Sequence, residues 1–298
     1  MLYDPPLYRP PSEADSLIFQ VTLGCSNDTC LFCLMYKMKE FRVRSLDAVK
    51  RDIRDMALSQ PYTKRIFLAD GDALVTRTST LLEILDLLKR SFPRLERVSS
   101  YAGPKNLLVK SVDELKQIRE AGLDLIYFGV ESGDPLTLQM VKKGSTPDEM
   151  AEGCAKAKMA GMKISVTVLL GLAGREGSER HVGGTCDLVG RISPDYLSAL
   201  TLMMPFMDEY SKLMVGEASK IGQKGWTQLS AVETLKEIRG LVKGTKLSGS
   251  VFRTNHASNY LPLKGVLPED RARILKTLDE AIAHPTTYPL KPEWMRGL

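Results

Sequence analysis

The run Leu17-Ile18-Phe19-Gln20-Val21-Thr22-Leu23 leads straight into Gly24-Cys25-Ser26-Asn27-Asp28-Thr29-Cys30-Leu31-Phe32-Cys33, and this junction decides how the chain is read. The first half is apolar and branched, the composition of a strand buried on both faces. The second half holds three of the five cysteines, spaced C-x4-C-x2-C. A structural zinc site wants four closed ligands, and no His, Asp or Glu stands at a usual finger spacing after Cys33. Three thiolates without a fourth suit an iron–sulfur cluster with one open iron, because such clusters are normally held by four cysteines. A zinc knuckle or three incidental buried thiols is the plainer alternative.

Outward from this junction the pattern repeats. Ser45-Leu46-Asp47 reads as a helix N-cap before an amphipathic run ending near Ser59. Further strands are expected at 65–69, 97–101, 125–130, 163–170 and 196–203, with helical runs at 81–92, 111–121, 146–160 and 178–192 among them. Six strands alternating with helices require parallel pairing through right-handed crossovers, hence an α/β barrel or an open doubly wound sheet. In a barrel, functional residues gather at the C-terminal ends of strands.

On the cysteine spacing, on Phe32 just before the last cysteine and on the residues at the end of each strand, the chain resembles the radical S-adenosylmethionine (SAM) superfamily. The usual signature there is C-x3-C-x2-C with an aromatic residue before the last cysteine, and this chain carries one extra residue between Cys25 and Cys30. The resemblance implies an α/β partial (βα)6 TIM-type barrel over residues 1–206, with a C-terminal extension over 207–298 packed on it and closing its open end. It implies a four-iron four-sulfur cluster on Cys25, Cys30 and Cys33, with the amino and carboxylate groups of SAM on the open iron. One electron would then split SAM into methionine and a 5′-deoxyadenosyl radical.

The SAM contacts are carried over position by position. Asp70-Gly71-Asp72 comes after the second strand where the family shows a Gly-Gly-Glu-Pro stretch contacting the SAM amino group, and Asp72 takes the place of the glutamate. Ser100 offers a hydroxyl at the mouth after the third strand. Glu131 ends the apolar run Tyr127-Phe128-Gly129-Val130 and is implied to hold the ribose hydroxyls or the amino group, since a carboxylate can accept two hydrogen bonds from a diol. Ser165 and Thr167 alternate to one face of the fifth strand, and Gly171-Leu172-Ala173-Gly174 beyond it corresponds to the region that packs on adenine. Lys142-Lys143-Gly144 is nearest the form of the oxygen-independent coproporphyrinogen oxidase and elongator-like branch. Read without the family, Asp70-Gly71-Asp72 is a strand-ending turn and Glu131 a helix-capping acid before Asp134-Pro135.

The segment Val251-Phe252-Arg253-Thr254-Asn255-His256-Ala257-Ser258-Asn259-Tyr260-Leu261-Pro262 breaks from a short strand into a dense polar run. Arg253 could bind a carboxylate or phosphate, His256 could serve as acid, base or ligand, and Tyr260 and Asn255 stand beside them, so the segment is expected on the substrate side. A buried polar network bracing the extension is the equal alternative. Methionines 203, 204, 207 and 214 read as filling of an irregular core, with a thioether-lined pocket secondary. His181 and His284 are expected to be structural. Cys154 and Cys186 lie too far apart and too alone to hold a second cluster. Methylthiotransferases and many peptide-modifying relatives add auxiliary clusters or a further domain, and neither these nor a preceding cobalamin domain is expected here.

Composition sets the boundaries. With 298 residues, 43% of them hydrophobic, the chain can bury a sizeable core. The N-terminal Met1 to Pro11 is proline-rich without an apolar stretch, and no run of about 18 apolar residues occurs, so no membrane span and a cytoplasmic location are expected. An odd number of cysteines, three of them clustered, fits thiols kept reduced for a metal. The net charge of +5 is mild and interleaved, which speaks against nucleic acid. Lys37, Lys39, Arg42 and Arg44 could attract an anionic small-molecule substrate or an electron donor such as flavodoxin or ferredoxin. A radical enzyme acting on a small anionic substrate is the favoured reading, with a non-catalytic iron–sulfur electron-transfer or metallocofactor-assembly protein as the competitor.

Overall fold

A computed structural model describes residues 3–297, so Met1, Leu2 and Leu298, the ends of the expected barrel and extension, lie outside the described residues. The strands among them are β1 (Leu17–Gln20), β2 (Thr22–Leu23), β3 (Arg42–Val43), β4 (Arg65–Ala69), β5 (Arg97–Tyr101), β6 (Leu123–Glu131), β7 (Lys163–Leu170), β8 (Tyr196–Thr201), β9 (Ser250–Arg253) and β10 (Lys264–Leu267). Eight of these form one sheet in the order β1-β4-β5-β6-β7-β8-β9-β10. Pairing is parallel for β1 with β4, β4 with β5, β5 with β6, β7 with β8 and β8 with β9, while β10 runs antiparallel to β9. The sheet is an open, mostly parallel partial barrel of the α/β class. In β4 the run Ile66-Phe67-Leu68-Ala69 is apolar with every side chain buried, as in a strand covered on both of its faces.

Two element ends differ from the sequence pattern. The strand expected from 17 to 23 is broken after Gln20, and Thr22–Leu23 pairs instead with Arg42–Val43 in a small antiparallel ribbon. The extension adds β9 and β10 to the β8 edge of the sheet. Of these, β10 has no signature in the pattern, because Lys-Gly-Val-Leu is a short edge strand with only Leu267 buried.

The backbone contacts divide the chain into two compact units, one of residues up to 28, 33–128 and 152–164, the other of 29–32, 129–151 and 165 onward. The expected boundary between 206 and 207 falls inside the second. In the first unit, Ser45 caps the helix Leu46–Ser59 by accepting from Ala48 N, and Ser111 with Glu114 forms a full capping box at Val112–Ala121. Phe19, Phe67 and Phe92 are buried, each contributing on the order of 1.5–3 kcal/mol on removal from water. Glu13, fully buried, accepts from Arg97 Nη2 at 2.7 Å and from the Tyr127 hydroxyl at 2.6 Å.

The second unit packs Met140, Leu172, Leu202, Tyr210, Met214 and Trp226 into one cluster, with Tyr210 and Trp226 edge to face at 5.5 Å. Gly174, at φ +67, is seated against Trp226, where a Cβ would stand 2.8 Å from the indole. Methionines 140 and 214 thus fill core, while Met203 and Met204 border a cavity. Cys154 in the first unit and Cys186 in the second are buried thiols, pushed up by that burial to about 12 and about 11.

Candidate active site

In the first unit the cysteine loop leaves β2 through Gly24, whose φ of +73 and close approach to the Lys39 carbonyl and Phe41 backbone suit glycine. Asp70, just past β4 and fully buried, fastens this turn. Its Oδ2 accepts from Gly24 N at 3.1 Å and from Lys39 Nζ at 2.9 Å, and its Oδ1 accepts from Gln20 Nε2 at 3.0 Å. Both carboxylate oxygens are thus spent on the protein, which makes Asp70 a brace for the loop. Gly71 lets the backbone lie against Cys25, since a Cβ there would come within 2.9 Å of the Cys25 Cβ and 3.0 Å of the Tyr36 ring.

Asp72 is the next buried carboxylate. It accepts from Ser26 Oγ on the cysteine loop, from Asn106 Nδ2, and from Gly103 N at 3.2 Å. Burial raises its pKa, and those three donors with nearby Lys110 work in the opposite direction. Nothing in the spacing of Ser26 or Asn106 ties either to Asp72, and the fold alone brings them to it. Ser100 is buried and donates to the Tyr101 carbonyl at 2.6 Å.

Cys25 and Cys33 are half-buried in the first unit, Cys30 is buried in the second, and none of the five cysteines is in a disulfide. Among the described residues, no three His, Cys, Asp or Glu side chains stand as a metal-holding group. The fit of a four-iron cluster therefore rests on donor chemistry and on Tyr36. The Tyr36 hydroxyl is buried with no partner among the described residues. Burial, then the charges of Tyr101, Asp70, Cys25 and Cys33, push its pKa far up and keep it a neutral donor beside two of the three thiols. Three thiols and a stranded O–H suit a group that takes thiolate ligands and accepts hydrogen bonds at sulfur, which is what an iron–sulfur cluster does.

In the second unit Glu131 closes β6 with φ +61, a left-handed conformation rare outside glycine and a recurrent mark of a functional position. Lys143 Nζ pairs with its Oε1 at 3.3 Å, with the two side chains 10% and 13% exposed, and stands 5.6 Å from the Phe32 ring centroid. A carboxylate, a cation and an aromatic ring are thereby brought together. In the sequence Lys143 stands out only as a marker of the branch. Gly171, at φ +78 just past β7, donates its N–H to Glu237 Oε2 at 2.7 Å, and Ser165 is buried within β7.

The segment after β9 behaves mostly as a brace. His256 Nδ1 accepts from Ser258 N at 3.2 Å, Ser258 Oγ accepts from Thr201 N at 3.2 Å, and Asn259 ties Ala199 to Thr254. Arg253 and Asn255 are exposed. Of this group Tyr260 borders a cavity. It is buried and donates its hydroxyl to Glu293 Oε2 at 2.7 Å, and burial with that bond pushes it up to about 12. The structure thus separates Tyr260 from the three residues expected beside it.

The radical SAM superfamily model matches residues 19–182. A Methanocaldococcus jannaschii protein named as a candidate methylthiotransferase is 29% identical over 153 residues, covering 48% of this chain and 32% of its own length. The heme chaperone HemW of Bacillus subtilis is 22% identical over 202 residues, 67% of this chain and 50% of its own. The chain thus spans half or less of the length of these relatives. Among solved structures, the Escherichia coli coproporphyrinogen III oxidase HemN, described as a radical SAM enzyme, superposes with a TM-score of 0.50 at 12% identity, over 84% of this chain and 64% of its own, a likeness of fold. The match to HemW agrees with the coproporphyrinogen oxidase-like branch. No helix among the described residues is long and apolar enough to cross a membrane.

Proposed function

The chain belongs to the radical SAM superfamily, whose enzymes bind a four-iron four-sulfur cluster and SAM, and from that premise we propose that it cleaves SAM reductively and directs the resulting 5′-deoxyadenosyl radical to a hydrogen atom of a small anionic substrate. The observation that carries this reading is the cysteine loop itself: three thiols within nine residues, backed by a glycine that only a missing Cβ admits and by a partnerless tyrosine hydroxyl.

Cys25, Cys30 and Cys33 would hold the cluster, which when bound supplies the electron that splits SAM. The chain's own residues do the rest by position. Asp70 fixes the start of the loop through Gly24. Asp72, with its oxygens already gathering Ser26, Gly103 and Asn106, keeps the backbone after β4 in place, and that backbone is the proposed contact for the SAM amino group. Glu131, with Lys143 on one oxygen, retains acceptor capacity for the ribose hydroxyls. Gly171 leaves a smooth backbone surface for adenine, held in shape by Glu237. Phe32 and Ser165 are proposed to line the same pocket, Ser100 to keep the β5 end closed, and a flavodoxin- or ferredoxin-type protein to deliver the electron.

A second reading, a protein that handles a metallocofactor without turning over a substrate, is favoured by the likeness to the heme chaperone. Anaerobically reconstituted protein, reduced and given SAM, separates the two: deoxyadenosine and methionine should accumulate, and the Cys25→Ala, Cys30→Ala and Cys33→Ala variants should lose both this activity and the visible absorption of the cluster. Absence of deoxyadenosine from iron-loaded wild-type protein sinks the enzyme reading, and retained absorption in all three variants sinks the ligand assignment.

A further inference from the structure

The second unit contains a cavity of about 680 Å³, within the range of small-molecule sites, roughly 300–1,000 Å³. Met203 and Met204, just past β8, form part of its wall together with Tyr260, Lys291, Glu293 and Arg296. A narrow recess bordered by the same Tyr260 and Arg296 reaches Gly171 and Thr201, at the ends of β7 and β8. Arg296 and Tyr260 are among the residues shared by both spaces, and Arg296 is the cation among them.

Its side chain is only 1% exposed. Nη2 pairs with Glu293 Oε1 at 2.9 Å, and the guanidinium carbon stands 4.2 Å from the Tyr260 ring centroid. Nε and Nη1, by contrast, are buried with no acceptor among the described residues. A guanidinium is a cation with five N–H donors and no acceptor of its own. Buried charged donors are costly unless an acceptor meets them. Glu293 does not fill that need, because its bonds go to Nη2 and the Tyr260 hydroxyl and none comes from Nε or Nη1. Lys291 adds a second positive charge to the wall, anchored on the Ala257 carbonyl at 3.0 Å. Arg97 and Arg271 also leave a nitrogen unmet, but neither borders this cavity.

We propose that Arg296 anchors an oxyanion, a carboxylate or a phosphate, of a small molecule in this cavity, while Met203 and Met204 face its carbon skeleton. The identification of that molecule as the substrate of hydrogen abstraction rests on the function proposed above; the anion site stands on the cavity and the guanidinium. Arg253, the arginine the sequence singled out for such a role, is exposed and outside the cavity wall.

Reconstituted protein titrated calorimetrically with inorganic phosphate and, separately, with acetate tests the site, at an ionic strength held constant with chloride so that unspecific attraction cancels. At least one anion should bind saturably. Arg296→Gln should weaken that binding roughly ten- to hundredfold, the effect of losing a charge-assisted hydrogen bond. Met204→Trp, which leaves the guanidinium in place and fills the cavity, should weaken it too and decides the matter alone if the arginine variant does not fold. Phosphate without acetate assigns a phosphoryl group, and acetate without phosphate a carboxylate. No saturable binding by wild type, or unchanged affinity in the variants, overturns the site. The two proposals fail separately: deoxyadenosine formation is measured in wild-type protein without added anion, and anion binding without SAM.

Discussion

Replacing Asp70 with asparagine keeps the side-chain volume and removes one charge. Where Oδ2 stood, an amide NH2 would face two donors, Gly24 N at 3.1 Å and Lys39 Nζ at 2.9 Å. Lys39 is only 5% exposed at its side chain and Asp70 not at all, so water cannot stand in for the lost carboxylate. Removing one partner of such a buried pair costs about 3–5 kcal/mol, most of it the uncompensated charge left behind. The unmet Gly24 N–H belongs to the same network, so its share is not added separately. Asp70→Asn should therefore lower stability by about 3–5 kcal/mol. The assay is anaerobic urea unfolding of reconstituted protein, followed both by far-ultraviolet circular dichroism and by the visible absorption of the cluster. Because the broken contacts lie at the start of the cysteine loop, absorption should vanish at lower urea than secondary structure. Adding Lys39→Met removes the ammonium left without its carboxylate, still held by the Asp4 carbonyl, and should recover roughly half of the loss, on the order of 2 kcal/mol. A loss below about 1 kcal/mol, or weakened SAM binding at unchanged stability, would show that this carboxylate faces a ligand and does not brace the loop.

Gly71→Ala would drive a methyl group to 2.9 Å from the Cys25 Cβ and 3.0 Å from the Tyr36 ring, so a destabilisation of about 1–3 kcal/mol and fewer irons per chain are expected; a full iron content in this variant contradicts the close approach. Glu131→Ala should weaken SAM binding roughly ten- to hundredfold in equilibrium dialysis with iron content unchanged, and equal affinity removes the residue from the SAM site. Burial, with Lys291 nearby, holds the pKa of His256 below its ordinary 6.5. The folded state therefore prefers neutral imidazole, and this contribution to stability is complete above the unfolded pKa and is lost as pH falls through the lower folded one. Urea midpoints of wild type should accordingly drop below about pH 6.5 more steeply than those of His256→Gln; parallel curves would mean that His256 titrates alike in both states.

Much of this fold is legible in the chain because several of its strands are short, largely buried runs rich in branched and apolar residues. The strands at 65–69, 97–101 and 163–170 lie where the pattern puts them, and the caps at Ser45 and Ser111 announce their helices by local chemistry. Residues after β8 are harder to read. Lys264–Leu267 carries one buried side chain and a glycine, and its strand exists because β9 offers an edge, which is a property of the partner. At the site the strand ends are legible and the side-chain roles are not. Asp70 and Asp72 sit two residues apart in one turn, yet three distant donors, Gln20, Gly24 and Lys39, claim the first and Ser26, Gly103 and Asn106 the second. Arg296 lies in a terminal stretch whose composition suggests nothing, and only its burial beside a cavity sets it apart. The dense polar run at 253–260 is conspicuous for a different reason, since two of its residues, Ser258 and Asn259, hold Thr201 and Ala199 in place.

Cys154 and Cys186 give the protein an internal gauge of its own integrity. With pKa values of about 12 and about 11, they are ionised at neutral pH in only roughly one molecule in ten thousand or fewer, and they are buried besides. An alkylating reagent that reacts with thiolates should pass them by for as long as the fold persists, while Cys25 and Cys33, half-exposed, are taken first once no metal covers them. The number of labels per chain, read by mass, then tells three conditions apart in one sample: protein with its loop covered, intact protein with its loop bare, and chain that has come undone and yields all five.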